Sequence, residues 1–538
     1  MATSTRAASS TRPLWSGFAQ SAAEYPERIA LRVQGESVSY RELEELSSRI
    51  AATIQVRTAG AGSPLTAVLA QRSKTAFAGV LGSLLAGHGY VPLHPQFPVE
   101  RTQIMLEQPE CRSLIVDSGA LDIAAKLLEN VPYSLVVILP DESDVADYRS
   151  RWPRHEFVDR LNLEAEAAWR ETSAGTDALA YLLFTSGSTG LPKGVMVAQR
   201  NVSAFIEYMT ERYDVTEHDR FSQMFDMTFD LSAFDMFMAW EKGACLCCPT
   251  RKETIQPATF VRNEELSIWF SVPSTAMFMK QWNALKPNQY PSLRLSLFCG
   301  EPLPVASARA WQEAAPNSIV ENLYGPTELT IACTLYRWSS DSSPAESELG
   351  IVPIGYPCPE MNVLVVDEHL NEVAAGAEGE LLMNGPQMSL GYWKNSAKTA
   401  AAFVVPPGKN EVFYRTGDRV RKPIEKGPLI HLGRIDFQIK ILGHRVELGE
   451  IEALVRDHCG LDGVVAVGWP ACPTGYAAVE VFIEGQPCAD QNALTNALAN
   501  RLPDYMVPKR FHFLPELPKN VNGKFDRKAL SALLEKGL

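Results

Sequence analysis

Short runs of consecutive apolar residues recur through the first half of the chain: LTAVLA (65–70), SLIVD (113–117), SLVVILP (134–140), IWFSVP (268–273) and LRLSLFCG (293–300). Apart from Arg294 and Ser296 in the last, they are apolar along most of their length, so they predict buried strands. Longer stretches with helical spacing separate them, and that alternation predicts βαβ units around mostly parallel sheets. From about Ile351 the pattern changes to short strands punctuated by Gly and Pro, such as NVLVVD and GELLMNG, which predicts a more antiparallel, barrel-like part. It changes again over the last hundred or so residues. There IEALVRDHCGLDGVVAVGW followed by YAAVEVFIEG predicts a small α+β domain. No internal repeat and no low-complexity linker interrupts this order.

Composition narrows the picture. A chain of 538 residues is long enough for roughly two to four domains. Its 46% hydrophobic and 21% charged residues are those of an ordinary globular protein. No apolar run reaches membrane-spanning length, and the opening MATSTRAASSTRP has no apolar segment, so a frayed tail and a cytoplasmic location are expected. A net charge of -13 without a Lys/Arg stripe argues against nucleic acid as a partner, so any anionic ligand must be held locally. The ten cysteines have no regular spacing and are expected to be reduced thiols. Their one cluster, GACLCCP, reads as a buried strand rather than a zinc site.

The stretch YLLFTSGSTGLPKGVMV (181–197) breaks the packing pattern. Apolar runs at 181–184 and 195–197 bracket small residues that can hardly pack, so the loop between them is expected to be displayed. It is not a Walker loop, because GSTGLPKG puts Pro192 before Lys193 and Gly194 after it. The physical logic is shared all the same: successive small residues expose backbone N–H groups, hydroxyls add donors and a lysine adds charge, which together make an anion nest.

Six further stretches follow in order: FDLSAFD (229–235), NLYGPTEL (322–329), GELLMNGPQMSLGYW (379–393), YRTGD (414–418), GRIDFQIKILGHRVELGEIE (433–452) and PKNVNGKFDR (518–527). With FTSGSTGLPKGV (184–195) they resemble the motif set of the adenylate-forming superfamily, and within it the amino-acid adenylation enzymes of non-ribosomal peptide synthesis and the D-alanine:carrier ligases. The resemblance runs from near Trp15 to Asn522-Gly523-Lys524. It implies an α/β fold in which two doubly wound βαβ subdomains and a distorted β-barrel form a large N-terminal adenylation core (14–435). A small mobile α+β lid (436–538), hinged near Asp436, would follow, and residues 1–13 would be a disordered tail.

The chemistry such motifs serve is attack of a substrate carboxylate on the α-phosphorus of ATP, with loss of pyrophosphate. It demands positioning of two anions and neutralisation of developing charge. It needs no general base, because the carboxylate is already ionised near neutral pH. The resemblance implies that Thr185, Ser186, Gly187, Ser188, Thr189, Gly190 and Lys193 hold the β- and γ-phosphates, that Thr327 touches the α-phosphate and that Glu328 ligates Mg²⁺. It makes Tyr324 the ring stacked on adenine, with Asn322 at the amino edge and Asp418 accepting from the ribose hydroxyls, near Arg434 and His431. Lys524 would bridge substrate carboxylate, ribose and α-phosphate. In a second lid position GHRVELGE, around Gly443, would line the path of a pantetheine arm. Two residues depart from the pattern: His431 stands where relatives have an aromatic ring, which affects packing at the nucleotide, and Leu442 replaces a common arginine, which affects thioester contacts.

Carried over position by position, the substrate pocket would be Asp230, Leu231, Phe234, Phe270, Leu297, Cys299, Leu323, Ile331 and Ala332, closed by Lys524. A buried carboxylate is costly unless paired, so Asp230 in an apolar pocket implies a substrate ammonium and hence an amino acid rather than a fatty or aryl acid. The apolar lining resembles that of stand-alone prolyl-adenylating enzymes, which makes L-proline the expected substrate ahead of D- or L-alanine or a β-amino acid; an acyl- or aryl-CoA ligase is the alternative of another class. The sequence holds no LGGxS-type phosphopantetheine site, so a free-standing carrier protein is the expected acceptor. Replacing Lys524 by Ala is expected to lower amino-acid-dependent ATP–pyrophosphate exchange by orders of magnitude while circular dichroism and Tm stay unchanged, because the role implied for it lies in the transition state.

Overall fold

The continuous apolar runs form parallel strands, as their lack of alternation requires. In the computed structural model, residues 12–59, 62–172, 174–187, 191–461, 463–485, 491–519 and 525–537 are described. Among them the first sheet has, in spatial order, the strands Glu156–Asp159, Val136–Leu139, Ser113–Val116, Leu65–Leu69, Gly89–Leu93, Leu179–Thr185 and Lys193–Ala198. All neighbours are parallel except the last pair. The second sheet centres on Arg220–Ser222, Ile268–Ser271, Leu295–Phe298 and Ile319–Tyr324, again parallel. The strand Cys245–Cys247 joins it between Arg220–Ser222 and Ile29–Val33. The GACLCCP cluster is therefore the buried strand its composition predicts.

Two helices lie between the sheets, and their sequences say why. KTAFAGVLGSLL (Lys74–Leu85) and LSAFDMFMAW (Leu231–Trp240) are apolar on nearly every side, and a helix of that kind must be covered all round. Every residue of the second helix is buried, and Phe77 meets Trp240 edge to face at 6.2 Å. One core then contains residues of both sheets and both helices. The antiparallel part predicted after Ile351 is a separate sheet built on Asn362–Val366, Glu378–Asn384, Phe413–Arg421 and Ile430–Arg434.

Strands from Gln438–Ile441 onward belong to two small sheets of their own, with helices Leu448–Cys459 and Arg527–Glu535. This C-terminal body, the lid, opens with a tight hairpin of Gln438–Ile441 and His444–Glu447. Its two turn residues, Leu442 and Gly443, have φ of 48° and 83°, the left-handed pair that matches strand twist. Gly443 is required for a second reason: a Cβ there would sit 2.7 Å from Val272 Cγ1 of the core. Eight described cysteines are free thiols, whereas Cys459 is disulfide-bonded, which corrects the expectation of thiols reduced throughout. Among the described residues no helix is long and apolar enough to cross a membrane.

Helix Leu231–Trp240 carries an anomaly in Asp235, whose two carboxylate oxygens are buried and have no hydrogen-bond partner among the described residues. Burial holds its pKa well above the usual carboxylate range, against the weaker pull of Arg72. A carboxyl group with a raised native pKa favours the fold fully only below its unfolded pKa, and that contribution is lost as pH rises toward the native value, by at most about 1.4 kcal/mol per pH unit. Asp235→Asn is therefore expected to raise Tm at pH 8, with the gain shrinking toward pH 4; thermal melts across that range check it.

Candidate active site

A cavity of about 920 Å³ opens where the strands Leu179–Thr185, Leu295–Phe298 and Ile319–Tyr324 end, and residues between Asp436 and Arg445 at the start of the lid form its other wall. Crevices at the carboxyl ends of parallel strands are where α/β sheets bind ligands, because loops from several strands converge there. The lining combines apolar surface with Thr185, Ser186, Asp230, Glu301, Asn322, Thr327, Asp418, Arg434 and Lys440.

At one end stands Asp418, on the strand Phe413–Arg421. Its Oδ2 accepts from the Tyr324 hydroxyl at 2.6 Å, and its Oδ1 from Arg434 at 3.1 Å and His431 at 3.2 Å. Burial alone would raise its pKa, but these partners outweigh it and hold the carboxylate well below the usual range. Gly417 makes the arrangement possible: its φ is 71°, and a Cβ would lie 2.5 Å from Arg434 Nη2. Asn322 donates to the Pro353 carbonyl at 2.9 Å, which orients its amide and leaves Oδ1 buried without a partner among the described residues. An acceptor beside a tyrosine ring and an ionised carboxylate suits an amino-bearing base and a ribose.

The loop expected to be displayed is covered where it is described. Ser186 and Gly187 are buried because the lid docks on them: Ser186 donates to the Arg445 carbonyl at 2.8 Å, and the Gly187 N–H donates to Glu450 Oε2 at 3.0 Å. Glu450 also takes a bond from Arg101 Nη1 of the core at 2.7 Å, in an ion pair with both side chains almost fully buried. Ser188, Thr189, Gly190 and Lys524 lie outside the described residues. Lys193, at the other end of the loop, is 3.5 Å from Glu328. Glu328 is fully buried and also holds Arg445 at 2.7 Å and the Tyr392 hydroxyl at 2.8 Å. Burial would raise the Glu328 pKa, yet Arg445 and Lys193 hold it well below the carboxylate range, so it is ionised. Among the described residues no three His, Cys, Asp or Glu side chains gather into a metal cluster. One ionised carboxylate beside a phosphate-type loop fits magnesium, which takes one or two protein carboxylates and completes its shell with phosphates and water.

Asp230 occupies the other end, just before helix Leu231–Trp240. Its Oδ2 accepts from the Ile331 N–H at 3.1 Å, and no cationic side chain among the described residues pairs with it. Burial pushes its pKa up to about 6, with the Ile331 N–H pulling the other way. That N–H is presented by strained backbone, since Thr330 and Ile331 are β-branched residues with φ of 54° and 69°. Gln387 holds the turn: its side-chain amide donates to the carbonyls of Thr330 and Ala332, and its own carbonyl accepts from the Thr330 hydroxyl.

Of the nine pocket positions carried over from the sequence, Asp230, Leu231, Cys299 and Leu323 line the cavity. Phe234, Phe270, Leu297, Ile331 and Ala332 are fully buried behind that wall and do not reach it. The reason is aromatic packing: Phe270 meets Phe234 and Phe225 edge to face, each at 4.9 Å, which fills the depth the side-chain inventory suggested was open. Thr185, Thr327, Tyr324, Asn322, Asp418, His431, Arg434 and Asp436 all border the cavity, while Gly187 and Glu328 are held by lid residues and Lys193 stands against Glu328. Sequence reasoning missed Tyr392, Gln387, Arg445 and Glu450 as site residues. All lie inside motif stretches already singled out, and the only signal available was their membership of those stretches.

Comparison with known proteins follows this geometry. A family model described as AMP-binding enzyme matches residues 18–393, and one described as AMP-binding enzyme C-terminal domain matches residues 450–524. The chain is 34% identical over 526 residues to a dimodular nonribosomal peptide synthase of Bacillus subtilis, covering 96% of itself but only 20% of that protein. It is 30% identical over 514 residues to D-alanine–D-alanyl carrier protein ligase of Bacillus velezensis, covering 94% of itself and 96% of the ligase. The solved adenylation domain AlmE of Vibrio cholerae, in complex with glycyl-adenosine-5'-phosphate, superposes with a TM-score of 0.87 at 31% identity, covering 100% of this chain and 99% of that one.

The Arg101–Glu450 pair ties lid to core, and removing one partner of a buried pair costs roughly 3–5 kcal/mol because the other charge is left uncompensated. Arg101→Ala is expected to speed amide exchange across Leu448–Cys459 while the strands of the first sheet keep their protection.

Proposed function

The chain belongs to the AMP-binding enzymes, and on that premise we propose that it activates a small amino acid with ATP to the aminoacyl adenylate and pyrophosphate. The aminoacyl group would then pass to the thiol of a separate phosphopantetheinylated carrier protein. The observation that carries this reading is Asp230, a buried carboxylate at the cavity wall with no cationic partner among the described residues. Such a group is stable when a ligand ammonium completes it. A fatty or aryl acid would leave it unpaired, which argues against the CoA-ligase alternative.

In this reading the substrate ammonium sits on Asp230 and its carboxylate points toward Thr327, so that the α-phosphorus of ATP meets a preoriented nucleophile. Tyr324 stacks on the adenine, Asn322 Oδ1 accepts from its amino group and Asp418 accepts from the ribose. Thr185, whose buried hydroxyl has no partner among the described residues, joins Ser186, Gly187, Ser188, Thr189, Gly190 and Lys193 around the outer phosphates. Glu328 would hold a magnesium ion, which neutralises phosphate charge when bound. Lys524 would bridge the reacting groups. Arg445 and Glu450 stand against Glu328 and Gly187, so this lid position suits the later, thioester-forming stage, after pyrophosphate has left. Asp436, bonded to Arg434, is the proposed hinge.

Side-chain size is the finer question. Counting all nine pocket positions favours L-proline. With Phe234, Phe270, Leu297, Ile331 and Ala332 buried behind the cavity wall, the room beside Leu231, Cys299 and Leu323 favours glycine or alanine, and AlmE with its glycyl adenylate supports the smaller choice. An apolar pocket discriminates by only about 1–3 kcal/mol per methylene, so neighbouring amino acids should be activated weakly.

ATP–pyrophosphate exchange with glycine, L- and D-alanine, L-proline, β-amino acids and aryl acids tests the reading. Glycine or alanine is expected to dominate; a dominant proline signal would restore the sequence-based choice, and activity with aryl acids alone would sink the amino-acid reading. Because Asp230 binds an ammonium only when ionised, KM for the amino acid should rise below pH 6, by up to about tenfold per pH unit. Asp230→Asn should raise KM about 30-fold or more and abolish that pH dependence.

A further inference from the structure

The proposed adenylation chemistry leaves one buried carboxylate of the cavity lining unused. Cys299, Gly300 and Glu301 follow the strand Leu295–Phe298 and form the wall between the Asp230 end and the lid turn at Gly443 and His444. Glu301 is only 8% exposed. Its Oε2 accepts the Ser274 N–H at 2.8 Å, at the start of helix Pro273–Gln281. Its Oε1 is buried and has no hydrogen-bond partner among the described residues. An unpaired carboxylate oxygen is expensive to keep, and a site that gathers anionic phosphates gains nothing from another negative charge in its wall.

A thiol has a use for it. Transfer from the adenylate requires loss of the S–H proton, since the thiolate is the nucleophile. We propose that Glu301 is the general base of the thioester-forming step, its Oε1 taking the proton of the incoming pantetheine thiol; this rests on the function proposed above. The S–H bond breaks and its proton passes to Oε1, sulfur bonds to the aminoacyl carbonyl carbon, and the bond from that carbon to the phosphate oxygen breaks, AMP leaving with the electron pair. The protonated Glu301 then returns its proton to solvent.

The surroundings suit the role. Burial raises the Glu301 pKa, against the Ser274 N–H and hydroxyl, the Lys440 ammonium and the weaker pull of the Gly443 N–H in the lid turn, which moves the carboxylate toward a thiol's range. The other titratable groups toward this end of the cavity include Cys299, Asp230, Lys440, His444, Tyr505 and Arg101. His444 is the rival base, with a buried, unpartnered Nδ1 among the described residues. Burial brings its pKa down to about 4, and it is stacked on Tyr505 at 3.6 Å, so it is the weaker acceptor.

Glu301→Gln keeps an acceptor for the Ser274 N–H and removes the base. The test uses the full-length protein with MgATP, the preferred amino acid and 4′-phosphopantetheine as the thiol, reading pyrophosphate exchange and single-turnover thioester formation separately across pH 5.5 to 9. Thioester formation is expected to fall about 10²–10⁴-fold, the usual contribution of a general base, with exchange changed less than threefold. Read at saturating amino acid, so that Asp230 does not contribute, the acidic limb of the wild-type thioester profile should move in the variant up to the thiol's own ionisation, at about pH 8.5. A thioester rate within threefold of wild type, an equal fall in both reactions, or an acidic limb that stays at its wild-type pH in the variant would each overturn the assignment. Absence of amino-acid-dependent exchange in the wild type would overturn the proposed function and this role with it.

Discussion

The carboxylate of Glu328 is the point on which the arrangement turns. It is fully buried, and an ion so placed persists only with partners close by. Lys193 supplies one from the phosphate-type loop, Tyr392 another from the segment before the third sheet's longest strand, and Arg445 a third from the lid. Three separate stretches of chain are held at one atom group. The same carboxylate is the one suited to a metal ion beside nucleotide phosphates, so the group that would organise the first half-reaction is the group on which the lid docks. Lid position and phosphate occupancy therefore draw on the same charges, with Glu450 placed on the Gly187 N–H where an anion would be held.

A second set of constraints shapes the two ends of the cavity. Asp418 takes bonds from Tyr324, Arg434 and His431, and Arg434 also binds Asp436, so the carboxylate proposed for the ribose is mechanically continuous with the proposed hinge. His431 takes the place of an expected aromatic ring and contributes a hydrogen bond instead. At the other end, the strained turn at Thr330 and Ile331 presents an N–H to Asp230, and Gln387 bears the cost of holding that turn. Strain of this kind survives only where the surroundings over-determine it.

Much of this was legible before any coordinates. The runs at 65–70, 113–117, 134–140, 268–273 and 293–300 each became a parallel strand, because a strand covered on both faces must be apolar along its length. Asp230, Asn322, Tyr324 and Asp418 were found by motif, and all four border one cavity. Other features were not legible. The loop between the apolar runs 181–184 and 195–197 looks displayed because small residues cannot pack against each other, and nothing in its own sequence reveals that Arg445 and Glu450 would cover Ser186 and Gly187. Phe234 and Phe270 look like pocket lining because a residue list carries no depth; only their edge-to-face packing shows them to be the wall behind it.

The sequence by itself determined the fold class, the order of domains and the residue types available for chemistry, since these follow from local periodicity and from motifs contiguous in the chain. Only the tertiary structure decided which of those residues meet, how deep the amino-acid end reaches and which carboxylates are left without a partner. Glu301 and Asp235 are ordinary acidic residues in the sequence, and burial alone makes one a candidate base and the other a liability. That difference arises because desolvation and pairing depend on neighbours contributed by distant segments, and no local pattern encodes them.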